Sequence, residues 1–528
     1  MNALMGIELL ALPAGAVALA AVARRLGWPV PLVLVAVGLL LSFVPGVPEY
    51  ELDPEIVLLV FLPPLLYAAA LDSSYMRLRE VRRAVGLLSV GLVLFSTLVV
   101  GLVAHLIVPG LPLAAAFALG AIVAPPDAVA AVAVARRLGL PRRVITILVG
   151  ESLFNDATAL TAYRVAIAAA TGQGVSMFGG ALEFLYSAAG GVVIGLALAW
   201  ALGWILERIR DALVENTIML LIPFGSYMLA ELVHASGVIS VVIVGLYIGH
   251  RMYRTGFGTR LLSDAVWRVL SFLLEAIVFA LIGLQLHAIV VAGLRTEEPW
   301  ALAGYAAAVF VTAVLARIVW VIPATYLPRL SRRIREREPR PPGRQVAVIS
   351  WAGMRGVVSL AAAFAIPDDL PGRNLLLFLT FSVVIGTLLV QGLSFPMLLR
   401  RLKVSSEREI YADNLAEAGA QQAAASAGLA RLEELVADGV AELHADIVAQ
   451  LRSKSERRTL NAWERLGGGT GPEGEETPSA VYRRLRREML DAERQVFVRL
   501  RNERRIDDEV LRRVMQELDF EEAILERP

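Results

Sequence analysis

PLAAAFALGAIVAPPDAVAAVAVA, residues 112–135, is an apolar run long enough to cross a bilayer, and it carries two prolines and an aspartate at its middle. Each proline removes a backbone N–H and crowds the preceding turn, so a helix running through Pro125-Pro126 must kink or unwind. Lipid cannot solvate the carbonyls that this frees. Such a break persists only where it is buried in protein or lines a polar cavity, and Asp127 lies directly beside it. The stretch predicts a broken membrane helix enclosed by others, with an acid at the break.

Working outward, comparable runs recur along the first 400 positions of a 528-residue chain that is 57% hydrophobic, with mean hydropathy +0.63. That pattern excludes an ordinary water-soluble protein. A formal net charge of +1 implies no nucleic-acid partner, and the absence of cysteine excludes disulfides, thiolate catalysis and zinc–thiolate sites. In the opening run Leu9 to Ala23, the charges Arg24-Arg25 follow the apolar stretch, the reverse of a cleaved signal peptide.

Reading apolar windows between proline, glycine and charge gives thirteen candidate spans: 5–22, 29–46, 55–72, 84–108, 112–135, 143–169, 180–206, 216–233, 237–250, 267–292, 300–327, 345–366 and 374–399. The ninth is short. The arginines alternate with this count. Odd-numbered loops carry Arg24/Arg25, Arg77/Arg79/Arg82/Arg83, Arg136/Arg137/Arg142/Arg143, Arg208/Arg210, Arg251/Arg254/Arg260 and Arg329 through Arg344, whereas the even-numbered loops carry only Arg295 and Arg373. The latter loops show Glu51/Asp53, Glu297/Glu298 and Asp368/Asp369 instead. Positive loops face the cytoplasm, so the expected topology in the inner membrane is N-terminus outside and C-terminus inside.

Two domains are expected, a membrane domain over 1–403 and a cytoplasmic helical domain over 404–528. In the second the composition turns charged, with apolar residues at helical spacing (Leu429/Leu432/Val436/Leu443/Ile447 and Val510/Leu511/Val514/Leu518). Gly467-Gly468-Gly469-Thr470-Gly471-Pro472 divides it into two helical pieces.

A second interruption falls in span twelve, where Gly353 and Gly356 flank Arg355. Spans five and twelve differ by seven, so spans one to six and eight to thirteen read as two six-helix repeats with their breaks at matching positions. An odd offset inverts the second copy, the arrangement of alternating-access transporters. Gly191/Gly195 and Gly245/Gly249 read as helix-packing contacts.

Charge deep in a span is costly and concentrates here at Asp127, Glu151, Asp156, Arg164, Glu275, Arg317 and Arg355. At about 100° per residue, Ser152 and Asp156 share one face of span six, and Glu151 and Asn155 the neighbouring face. One face can bind while the other braces. A buried Glu151 needs a cation, and Arg355 in the opposite repeat is the natural partner. Asp127, Asp156, the Ser152 hydroxyl and freed carbonyls such as that of Pro126 are hard oxygen ligands suited to an alkali cation. Burial beside a like charge opposes full ionisation of both carboxylates, so a proton and a cation compete for one site. Arg164 reads as reaching the outer surface, Glu275 and Arg317 have no assigned role, and His105, His234, His250 and His287 fall near span ends, where headgroups or water explain them.

These residues resemble a known family. Gly150-Glu151-Ser152-Leu153-Phe154-Asn155-Asp156 is similar to the sixth-span signature of the monovalent cation/proton antiporters of the bacterial sodium/proton exchanger type. Phe61-Leu62-Pro63-Pro64-Leu65-Leu66 resembles their third span, Ala121 through Asp127 their unwound fifth and Trp351-Ala352-Gly353-Met354-Arg355-Gly356-Val357-Val358-Ser359 their twelfth. The resemblance covers roughly residues 1–400. It implies a thirteen-span homodimer with a dimerisation domain and a mobile core domain, exchanging one monovalent cation for one proton by alternating access, with no cofactor. It also implies that Asp156 is the ion-binding and proton-carrying acid, helped by Ser152 and Asp127, with Asn155 orienting and Glu151 paired with Arg355.

The chain departs from the family pattern twice. Many relatives have Thr-Asp-Pro where this chain has Pro126-Asp127-Ala128, and many carry a third-span acid where it has Ala68. Both changes thin the ligand shell and leave K⁺/H⁺ exchange as the alternative to Na⁺/H⁺ or Li⁺/H⁺ exchange. Asn155 is the form the family associates with electroneutral exchange. Lys403 and Lys454 are the only lysines and neither follows glycine, which excludes a Walker-type ATP-driven pump. No repeated filter suggests a channel, and two acids repel an organic anion. A non-transporting sensor that signals through the charged tail is the remaining rival, and an enzyme is not expected.

Overall fold

The computed structural model describes residues 3–45, 57–127, 131–132, 139–172, 177–295, 298–338, 340–404, 407–437, 445–464 and 476–525. The readings placed on Glu51, Asp53, Ala128, Arg136, Arg137, Glu297, Leu443 and the glycine-rich stretch 467–472 lie outside the described residues.

Every regular element among the described residues is helical. The first part of the chain forms α1 (Ala3–Leu26), α2 (Val30–Leu41), α3 (Leu62–Leu71), α4 (Tyr75–Ile107), α5 (Leu113–Val123), α6 (Arg142–Ala170) and α7 (Met177–Leu206). It continues as α8 (Ala212–Glu231), α9 (Gly237–Arg251), α10 (Phe257–Leu294), α11 (Pro299–Tyr326), α12 (Gly343–Trp351), α13 (Val357–Phe364) and α14 (Arg373–Leu402). Six of the described helices, α4, α7, α8, α10, α11 and α14, are long and apolar enough to cross a membrane, and α2, α3 and α5 are shorter apolar helices. The short run 237–250 forms α9, whose N-terminus is capped by the Ser236 hydroxyl accepting from the Ile239 N–H.

The chain divides into two compact units, Met1–Ser405 and Ser406–Pro528. Within the first, α4, α5, α6, α11, α12, α13 and α14 pack mainly on one another, and α1, α2, α3, α7, α8, α9 and α10 form a second packing group. Small residues set the closest approaches. A Cβ added to Gly283 of α10 would fall 2.8 Å from the Cα of Gly38 on α2 and closer still to the Val35 carbonyl oxygen, so these helices touch backbone to backbone. Gly191 and Gly195 of α7 meet the backbone of Ser236 and Ser240, and Gly245 and Gly249 of α9 meet Tyr67 and Leu71, the packing use read from the sequence.

A π-helical stretch, Leu87–Leu92, widens α4 midway. Its cause is a neighbour. The Trp320 indole of α11 packs where a Cβ on Gly91 would sit, and its Nε1 donates to the Leu87 carbonyl at 2.9 Å, taking over a bond that the regular ladder gives up.

In the second unit, α15 (Glu407–Ala437) and α16 (Ala445–Glu464) are joined by an Arg452–Glu433 ion pair. Helices α17 (Pro478–Asn502) and α18 (Asp508–Leu525) pack through Leu490, Leu518 and Leu525. Arg486 makes two 2.7 Å bonds to Glu521 across that pair.

The α2–α10 contact yields a direct test. Gly283→Ala should destabilise the purified protein by about 1–3 kcal/mol through overpacking, seen as a lower melting temperature in detergent. Gly304→Ala, on α11 with nothing within 4 Å of its added Cβ, should leave the melting temperature unchanged or slightly higher.

Candidate functional site

The backbone of α5 stops at Val123 because the next turn cannot be completed. Pro125 and Pro126 have no N–H to return to the Ala121 and Ile122 carbonyls. In a continuous helix the Asp127 N–H would bond the Val123 carbonyl; here it donates to the carbonyl of Met354 at 2.6 Å. Met354 lies in the interruption between α12 and α13, so the two broken segments cross at this point. The Val123 carbonyl, released in turn, accepts from Arg355 Nε at 2.9 Å. Each segment thus supplies what the other has lost.

Arg355 is fully buried, at 1% exposure. Besides Val123 it donates from Nη1 to the Gly353 carbonyl and from Nη2 to the Ala313 carbonyl of α11, the latter at 3.1 Å. Its own backbone N–H is held by the Thr387 hydroxyl of α14 at 3.1 Å. All of its resolved side-chain bonds go to carbonyl dipoles.

Glu151 does not bond Arg355. The structure pairs it with Arg317 of α11, whose Nη1 and Nη2 reach the two carboxylate oxygens at 2.5 and 2.9 Å, both side chains being 1% exposed. Arg317 Nε also donates to the Ile349 carbonyl of α12 at 3.0 Å, so one guanidinium ties α6 to α11 and α12. This corrects the expected Glu151–Arg355 pair. The physical reason is that Arg355 sits within the interruption, where freed carbonyls claim its donors, while Arg317 stands opposite Glu151 on an unbroken helix.

Helix α6 presents its two faces differently. Asn155 is fully buried and its Nδ2 donates to the Pro126 carbonyl at 2.8 Å, so Glu151 and Asn155 both engage neighbouring elements. Ser152 and Asp156 instead line a cavity of about 760 Å³ together with Pro126, Asp127 and Ser359. Asp127 is pressed against Gly356, where an added Cβ would come within 2.5 Å of the Asp127 Cβ and Cγ. Only glycine allows this approach, and it puts the N-terminus of α13 beside the carboxylate, where the helix dipole favours negative charge.

Among the residues left without a role, Glu275 of α10 lines the same cavity. Arg164 lies at the surface, paired with Glu231 at 2.8 Å. Ala68 also lines the cavity, at the position where an acid would have faced the site. The Met354 carbonyl and Thr387 carry no signal in the sequence, because a backbone acceptor and one threonine among many are not marked by residue type. Arg317 was visible as a costly intramembrane charge, but not its partner.

Asp127 and Asp156 on a cavity wall, at the crossing of two interrupted helices, point to ion translocation, and comparison with known proteins decides the family. Residues 11–401 match the family described as sodium/hydrogen exchanger, transmembrane. The chain belongs to the sodium/hydrogen exchanger family. This exchanger is 34% identical over 513 residues to the uncharacterized Na⁺/H⁺ exchanger Mb2309 of Mycobacterium bovis, covering 94% of this chain and 92% of the relative. It is 32% identical over 389 residues to a sodium, potassium, lithium and rubidium/H⁺ antiporter of Bacillus subtilis, covering 70% of this chain and 58% of that protein. The sodium proton antiporter MjNhaP1 of Methanocaldococcus jannaschii shares the fold, with TM-score 0.58 at 21% identity over 75% of this chain and 98% of that one. The exchanger is therefore a multi-pass membrane protein of a cation/proton antiporter family.

The ion pair sets a test. Arg317→Ala, which leaves Glu151 buried without a cation, should cost about 3–5 kcal/mol of stability, and Glu151→Leu combined with Arg317→Leu should recover much of that loss. Thermal unfolding in detergent distinguishes the cases: a double variant no more stable than Arg317→Ala would show that the pair does not act as a unit.

Proposed function

We propose that this exchanger moves one monovalent cation against one proton through a single site formed by Asp156, Asp127 and Ser152. The observation that carries the reading is the shared cavity wall. Asp156 and Ser152 from an intact helix and Asp127 from an interrupted one face the same space, beside backbone that lipid could not solvate. Asn155 holds the Pro126 carbonyl at the edge of this site and thereby orients it. Glu151, Arg317 and Arg355 brace it from behind.

Charge balance supports the stoichiometry. With Glu275 of α10 neutral, the acids Glu151, Asp127 and Asp156 exceed the cations Arg317 and Arg355 by one negative charge. Either one alkali cation or one proton cancels it, and both cannot do so together, so competition alone produces exchange. One cation for one proton is electroneutral.

The cavity is also lined by Arg77, Arg142 and Arg260, residues of the arginine-rich loops. With those loops in the cytoplasm, the site is open to the inside. Its walls come from both packing groups: the segment Pro125–Asp127 after α5, with α6 and α13, on one side, and α3 and α10 on the other. That division supports alternating access by movement of one group against the other, in a thirteen-span arrangement of two inverted repeats assembled as a homodimer. Sodium is the proposed ion, serving sodium and pH homeostasis. Potassium is the second reading, favoured by Ala68 in the cavity wall and by the broad cation range in the name of the Bacillus subtilis relative.

Proteoliposomes with an imposed pH gradient test this. NaCl, KCl or LiCl should dissipate the gradient, no membrane potential should be needed, and Asp156→Asn should abolish the response in a folded protein. Full dissipation by Asp156→Asn would refute the assignment of the acid. Dissipation that generates a potential would refute electroneutrality.

A further inference from the structure

At the arginine-rich end of the first unit, three guanidiniums from three separate elements converge on one carboxylate oxygen. Arg83 of α4 reaches Glu338 Oε2 at 2.7 Å, Arg329, from the turn Leu327–Leu330 that follows α11, at 3.7 Å, and Arg143, in the first turn of α6, at 3.9 Å. One carboxylate thus meets three guanidiniums. The arrangement is also short of acceptors. Arg83 Nε and Nη1 are buried and have no hydrogen-bond partner, although a buried charged donor left unsatisfied is costly. Beside them lies a small cavity of about 50 Å³, whose lining joins Arg83, Arg143, Arg329, Glu338, Thr325 and Gln345 to apolar residues of α4, α6, α11 and α12.

We propose that this cluster is a binding site for a phosphate oxyanion, with Glu338 as the tethered carboxylate that partly fills it. Guanidiniums bond phosphate oxygens through charge-assisted hydrogen bonds, and Arg83 has two donors without a partner, Nε and Nη1, one on either side of the Nη2 that meets Glu338. At about 50 Å³ the cavity has room for a small oxyanion group and not for a large organic body. Thr325 and Gln345 add neutral polar side chains to the lining. The ligand is therefore a phosphate, borne either on an anionic lipid headgroup, which the position at the end of the helices favours, or free in solution. The site is separate from the transport cavity, but Arg143 stands in the first turn of the helix that carries Asp156. An anion held here would fasten the end of that helix to α4 and to the segment after α11.

The test uses the full-length purified protein. Its melting temperature is followed against phosphatidylglycerol in mixed micelles and, separately, against inorganic phosphate at ionic strength held constant with NaCl. A saturable rise is expected. Glu338→Gln removes the competing carboxylate and should lower the half-maximal concentration by about tenfold or more. Arg83→Gln should raise it. A response to phosphatidylglycerol alone assigns the site to a lipid headgroup, and a response to both shows that free phosphate suffices. A cluster that only braces the fold would lower the melting temperature in both variants without moving the ligand dependence. That result, or no saturable rise in either the parent or Glu338→Gln, overturns the proposal; the Glu338→Gln comparison decides the matter even if Arg83→Gln does not fold.

Discussion

Hydrocarbon offers no hydrogen bonds, and the architecture of this exchanger depends on how it meets that constraint at two broken helices. Prolines 125 and 126 and the glycines around Arg355 interrupt the ladders of two segments in the middle of the bundle. The structure pairs the orphaned groups across the crossing: the Asp127 N–H with the Met354 carbonyl, the Val123 carbonyl with Arg355, and the Pro126 carbonyl with Asn155. Removing any of these partners would leave a peptide group of the crossing without the bond that replaces its helical one. The crossing is thus mutually determined, and this is what holds Asp127 against Gly356 at the cavity wall.

A division of labour on α6 follows from that arrangement. A helix with acids on two adjoining faces can hold one of them in a fixed pair and leave the other to titrate or bind. Glu151 is committed, with both oxygens bonded to Arg317, whereas Asp156 faces the open cavity. Two carboxylates five residues apart on one helix would be poorly discriminated by charge alone. Orientation separates the two: five residues place them about 140° apart around the helix, which turns one carboxylate into protein and keeps the other near solvent-sized space. Arg355, by contrast, gives its side-chain hydrogens to the carbonyls of Val123, Gly353 and Ala313.

Much of this was legible in the sequence for a thermodynamic reason. Charge and proline in apolar runs are costly, so their presence at Asp127, Glu151, Asp156, Arg317 and Arg355 marks the places where the protein surrounds them. The interruption at Pro125-Pro126 and the two faces of α6 follow from local rules of one helix. Lateral packing does not. Glu151 had two buried arginines to choose from, and periodicity within a span says nothing about which neighbour stands opposite; the choice of Arg317 was set by α11 lying against α4, α12 and α14. The same limit hid the Met354 carbonyl and the Thr387 hydroxyl, which act through position alone.

The alternation of arginine between loops also gains physical content at Glu338. Arg83, Arg143 and Arg329 come from loops three, five and eleven of the sequence count, and one carboxylate touches all three. Loops that share a contact share an end of the bundle, so the alternation is geometric as well as statistical. It also means that α4, α6 and the segment after α11 are linked twice: once in dry protein through Glu151 and Arg317, with Trp320 bonded to Leu87, and once at the helix ends through Glu338. Two separated attachments resist rotation as well as translation, where one would act as a pivot. Helices fastened in this way act as one body, the condition that the proposed alternating access sets for the group carrying Asp127 and Asp156 against α3 and α10.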